Sequence, residues 1–190
     1  MKTLFTIVIF LITIDSFGQC NQGVNLFAGA GSSYSNVIKG EYIPSLNTIF
    51  SAGYIINKNL MVRLDYQFVR FKNDNRVNTV FEEVGDIGKL STNIFKIGLF
   101  VGDFKVKKSI HYYVSGGFGI YNVSVDKKVN SIEATSSQSK FGLAFGLGTS
   151  IKVCDRLRFF LEGQGNAMLG NGTFTHFFPF LAGFNYNFSN

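Results

Sequence analysis

The chain has 190 residues, rich in Gly (21), Phe (22) and Tyr (8), with 2 Pro and no Trp. That length suits one domain. Charged residues are 16%, below the roughly one quarter usual in soluble domains, and beyond the N-terminus no eighteen-residue apolar run marks a spanning helix. The formal net charge of +6 is scattered, with no block of five Lys or Arg, so no nucleic-acid partner is expected; a basic surface suits anionic lipid or lipopolysaccharide.

In chain order, a short positive start (Met1-Lys2-Thr3) precedes the apolar residues 4–14, LFTIVIFLITI. Ser16 and Gly18 then supply the small residues of a cleavage site before Gln19. This is the grammar of a signal peptide over residues 1–18, which leaves 19–190 as the mature barrel domain. The apolar stretch is shorter than the about 20 residues a spanning helix needs. Cys20 raises the alternative of lipid attachment, but Gln19 stands where a lipidated Cys needs a small neighbour.

The mature chain alternates with period two in segments of about ten residues, the length of a tilted membrane-crossing strand. Strands are expected at residues 24–33, 48–57, 60–71, 93–101, 110–123, 141–153 and 157–164, with a last one ending at Phe188. The clearest is 141–153, where Phe141, Leu143, Phe145 and Leu147 share one face against Gly142, Ala144, Gly146 and Gly148. In 60–71, Val62, Leu64, Tyr66 and Phe68 oppose Arg63, Asp65 and Gln67. In 157–164, Leu157, Phe159 and Leu161 oppose Arg158, Glu162 and Gln164, with Phe160 breaking the polar side. Phe184, Tyr186 and Phe188 end the last strand, and the tail GFNYNF that holds them resembles the C-terminal insertion signal that barrel assembly machinery reads, except that Ser189 and Asn190 follow the aromatic.

The count is eight, an even number, so the expected fold is all-β: an eight-stranded antiparallel up-and-down transmembrane β-barrel. Connections alternate between compact polar turns (57–59, 102–109, 154–156) and longer loops (36–45, 72–89, 124–139, 166–175). Short periplasmic turns and long external loops place both termini in the periplasm of an outer-membrane protein. A lipocalin-like soluble barrel, with its large face turned inward, is the structural rival.

The inward polar set is Arg63, Asp65, Gln67, Lys96, Lys152, Arg158, Glu162 and Gln164. An eight-stranded interior is just wide enough for side chains to fill, and charges there must pair. One reading is a plug of ion pairs, Asp65 or Glu162 against Arg63 or Lys96; another makes a pair the gate of a narrow path. Gly117, Gly119, Gly142, Gly146 and Gly148 also face inward, and either make room for Tyr113, Tyr121 and Phe160 or leave a small ligand cavity. Cys20 and Cys154 are both placed at the periplasmic side, where a disulfide or two thiols are the alternatives. His111 and His176 fall at opposite rims, so no metal site, catalytic constellation or cofactor is expected, and the chain is not read as an enzyme.

The ending GFNYNF, the paired segments YIINKNLMVRLDYQF and SIKVCDRLRFFLEGQ, and HYYVSGGFGIY resemble the PorT-like outer-membrane β-barrel domain common in Bacteroidetes, an OmpA/OmpX-type small barrel. The resemblance implies fold and location more than activity. The leading expectation is a monomeric barrel with a structural or loop-mediated interaction role and a lumen plugged by polar and charged side chains. The alternatives are a narrow porin-like channel or small-ligand transporter, and an accessory component of a secretion or assembly system. Implied partners are outer-membrane lipid, lipopolysaccharide, the assembly machinery during insertion, and a surface or secretion-system protein.

Overall fold

The computed structural model describes residues 23–37, 40–43, 46–73, 86–104, 108–129, 132–170 and 173–188. The expected signal peptide, its cleavage site and Cys20 lie outside the described residues, as do 74–85 of the second predicted loop.

Nine strand segments follow one another: β1 (Val24–Val37), β2 (Gly40–Ile43), β3 (Leu46–Asn57), β4 (Leu60–Asn73), β5 (Asp86–Gly102), β6 (Ile110–Val129), β7 (Ile132–Lys152), β8 (Leu157–Gly170) and β9 (Thr173–Asn187). They make eight staves. β2 pairs with the end of β1 (Ser35↔Tyr42) and with the end of β4 (Ile43↔Lys72), so it occupies the same stave as β3, with residues 44–45 between them outside the described residues. Each stave pairs antiparallel with the next, and β1 pairs with β9 from Asn25↔Asn187 to Asn36↔His176. The sheet therefore closes, and closure pairs the edges that an open sheet would expose.

The alternation sets the two faces. Phe50, Leu64, Phe95, Phe145, Leu147 and Phe180 point out and are more than half exposed. Their neighbours Ser51, Arg63, Asp65, Lys96, Ala144 and Leu181 point in and are buried. Aromatic pairs tie neighbouring staves on the outer face, as with Tyr66 and Phe95 (4.8 Å between ring centroids) and Phe159 and Phe184 (5.7 Å). No described helix is long and apolar enough to cross a membrane.

Three predicted loops are mostly strand: within 36–45, β1 runs to Val37 and β2 covers Gly40–Ile43. β6 and β7 run on through 124–129 and 132–139, and β8 and β9 leave only residues 171–172 between them. Apolar alternation stops near Ser124, which is why the pattern suggested a loop. The backbone ladder does not stop: Asp126 stays opposite Thr135 and Asn122 opposite Ser139. Side chains reinforce both pairs, with Thr135 donating to Asp126 (2.9 Å) and Ser139 to Asn122 (2.7 Å). The expected polar turn at 102–109 differs too. Its Phe104 is buried under the barrel, and the Phe104 N–H donates to the Lys58 carbonyl at 2.7 Å.

Candidate functional site

The lumen holds the densest chemistry. Arg63 on β4 is 1% exposed and lies between two carboxylates. Its Nε and Nη2 donate to Asp65 (2.6 and 3.1 Å), two residues along the same face, while Nη1 and Nη2 donate to Glu162 on β8 (both 2.8 Å). These are forked, charge-assisted bonds, the strong kind. The flat guanidinium also sits 4.1 Å from the Phe100 ring centroid and 5.0 Å from that of Phe27. Lys96 on β5 stands 3.7 Å from Asp65, donates to Gln164 (2.5 Å), and reaches Gln67 at 3.4 Å. Glu162 accepts further bonds from Tyr113 (2.9 Å) and Gln164 (2.6 Å). Two cations and two anions thus form one buried, neutral cluster, as the cost of unpaired buried charge demands.

The cluster is built in above and below. Toward the long hairpins, Gln67 donates to Asn47 (3.1 Å), Asn47 to Ser33 (2.8 Å), and Tyr121 to Asn166 (2.9 Å). Toward the short turns, Phe27, Ile55, Met61, Phe100, Phe104, Tyr113 and Phe160 pack into an apolar floor. Arg158 fastens that end, donating from Nε to Ser150 Oγ (3.1 Å) and from its Nη groups to the carbonyls of Lys108, Ser109 and Ser150. Between the cluster and the small residues Gly98, Ser115, Gly117 and Ala144 remains a cavity of about 10 Å³, room for about one water.

Of the eight predicted lumen residues, the structure joins Arg63, Asp65, Gln67, Lys96, Glu162 and Gln164 in one network, and seats Arg158 apart at the short-turn end. Lys152 is different: it turns to the rim and pairs with Asp155 at 2.7 Å, a hydrogen bond that holds the exposed Asp155 carboxyl below its usual range. Sequence inspection missed Asn47, Ser33 and Asn166, although their inward parity was available as a signal. It also missed Phe27, Phe100 and Phe104, whose apolar character hides an inward position.

The inward glycines seat aromatic rings. A Cβ on Gly148 would lie 2.5 Å from Tyr113 Cζ, and one on Gly142 would lie 2.6 Å from Tyr121 Cε2. Phe160 lies instead over Gly29 and Gly183, which the sequence had not singled out. Gly117 and Gly119 stand against the backbone of β5, and Gly146 faces Ser115. His111 is buried against Phe104 near the short turns, while His176 is exposed at the other end. Cys154 is exposed in the turn before β8. Phe184, Tyr186 and Phe188 all point outward. Among the described residues no three His, Cys, Asp or Glu side chains converge as a metal site would require.

No protein-family model matches the chain, and no curated protein matches it. Solved structures do. Neisserial surface protein A (NspA) superposes with a TM-score of 0.65 at 18% identity, covering 87% of this chain and 97% of that one. The chain has the fold of a small outer-membrane β-barrel. A major outer membrane protein from Thermus thermophilus matches with a TM-score of 0.60 at 11% identity, over 86% and 99% of the two chains. The Escherichia coli outer membrane protease OmpT matches with 0.53 at 9% identity, over 92% and 100%. At such identities the likeness is one of fold, and it spans proteins of different activity.

Proposed function

We propose that this chain is an outer-membrane barrel that carries no flux through its lumen and acts at its long-hairpin end, on the sheet raised by β5, β6 and β7. The observation that carries this reading is the filled interior among the described residues: a neutral four-charge cluster, a polar ladder on one side and an aromatic floor on the other, with the pocket beside the cluster only about 10 Å³ in volume. The outward band of Phe and Leu fits acyl chains, and the short turns fit a periplasmic side. That orientation puts the chain ends in the periplasm and the raised sheet outside, beside lipopolysaccharide. The PorT-like resemblance and the surface location named for NspA support the same placement.

Planar-bilayer recording tests it. The wild-type protein is expected to give no steady ion steps, and the Glu162→Gln variant none either, because the apolar floor stays closed. Reproducible steps from folded wild-type protein, altered by Glu162→Gln, would establish the channel reading instead.

A further inference from the structure

The raised sheet has an edge that the barrel does not close. β6 and β7 pair without a register break from Ile110↔Ile151 up to Val129↔Ile132. β7 and β8 pair only from Lys152↔Arg158 to Phe141↔Leu169. Residues 132–140 of β7 therefore have β6 on one side and, among the described residues, no strand on the other.

Which backbone groups face the open side follows from the lower end of the strand. The Lys152 N–H donates toward Ser109 on the β6 side, and the Val153 N–H toward Leu157 on the β8 side. Alternation along an unbroken antiparallel ladder carries this upward. Glu133, Thr135, Ser137 and Ser139 thus aim N–H and C=O at open solvent. Solvent-facing edges are usually blunted by Pro, charge or a bulge. Residues 135–139, TSSQS, contain neither Pro nor charge and pair with β6 without a bulge.

A strand added there would lie over the top of β8, with this barrel beneath it. A second copy in the same membrane cannot place its own barrel in that space. A copy in an opposing membrane can, because its β7 runs the opposite way, as antiparallel pairing requires. Two identical edges meet in antiparallel register only if paired residues share parity, with the two-fold axis at a residue. Centred on Ser136, Thr135 faces Ser137 twice, Glu133 faces Ser139 twice, and Ala134 faces Gln138 twice. No like charges oppose, and residues 132–140 carry one Glu and one Lys. Hydroxyl pairs of this kind are favourable across strands.

We propose that residues 132–140 of β7 pair antiparallel with the same edge of a second copy held in an opposing membrane. This rests on the reading that the raised sheet faces outward.

Purified full-length protein in lipid vesicles tests it by light scattering. Protein-bearing vesicles are expected to cluster several-fold over bare ones, and not to recruit bare vesicles added to them. Ser137→Pro removes an edge N–H without touching the β6 ladder and is expected to abolish clustering; Gln138→Ala is expected to retain it. Folding of each variant is checked by heat-modifiable gel migration, with Thr135→Pro as the second edge variant. Absence of clustering by folded wild-type protein, clustering undiminished in both proline variants, or recruitment of bare vesicles would each overturn the proposal. Protease access to the hairpin in intact cells tests the outward reading separately.

Discussion

Replacing Arg63 by Met leaves Asp65 and Glu162 buried with Lys96, 3.7 Å from Asp65, as the remaining cation of the cluster among the described residues. Four hydrogen bonds are lost at once, and the cluster passes from neutral to a net negative charge. The Met side chain still fills the space against Phe100 and Phe27, so the change isolates charge from volume. Breaking a buried ion pair from one side costs about 3–5 kcal/mol. With a urea slope of about 1–3 kcal/mol per molar for a small domain, the unfolding midpoint should fall by roughly 2 M. The chain has no Trp, so the titration is best read in vesicles by the difference in gel migration between heated and unheated samples. Neutralising the whole cluster together (Arg63→Met, Asp65→Asn, Lys96→Met, Glu162→Gln) should recover most of the loss, since apolar or neutral replacements of a complete buried set are often tolerated. An unchanged midpoint in Arg63→Met alone would refute the view that one guanidinium holds both carboxylates.

Two further substitutions probe the wall. Gly148→Ala drives a methyl group to 2.5 Å from the Tyr113 ring, which is tethered to Glu162, and should cost about 1–3 kcal/mol in the same titration. Gly116→Ala points into open space and should change stability by less than about 0.5 kcal/mol; equal effects would dismiss the ring-seating role of Gly148. Leu147→Arg places a charge in the middle of the outward band, where Leu147 is 69% exposed, and should cost about 2–4 kcal/mol in a bilayer. A neutral outcome there, in protein that stays dispersed without detergent, would favour a water-facing outer wall.

Much of the wall was legible because parity is local. Once Leu64 and Tyr66 are assigned outward, Arg63, Asp65 and Gln67 must point inward, and β8 repeats the logic with Leu161 against Glu162. The pairing of Glu162 with Arg63 was one of four ion pairs the sequence allowed, but it could not be chosen over Lys96 or Asp65, because 99 residues separate the two and only closure brings β4 opposite β8. Phe27 and Phe100 escaped notice for another reason. An apolar residue on the inner face looks the same in sequence as one on the outer face, and only its burial beside Arg63 distinguishes it. The raised hairpin was lost because strand prediction leaned on greasy alternation, whereas these two polar strands are held by their backbone ladder and by pairs such as Ser139 with Asn122.

The distribution of the four buried charges over the chain bears on how the barrel is completed. Arg63, Asp65 and Lys96 belong to adjacent staves and meet as soon as β4 and β5 zip together, leaving one surplus positive charge. The missing counter-ion, Glu162, is synthesised 66 residues after Lys96 and arrives only with the penultimate stave. A sheet that lacks β8 therefore holds one cation of the cluster without its counter-ion, at a cost of several kcal/mol that only that strand relieves.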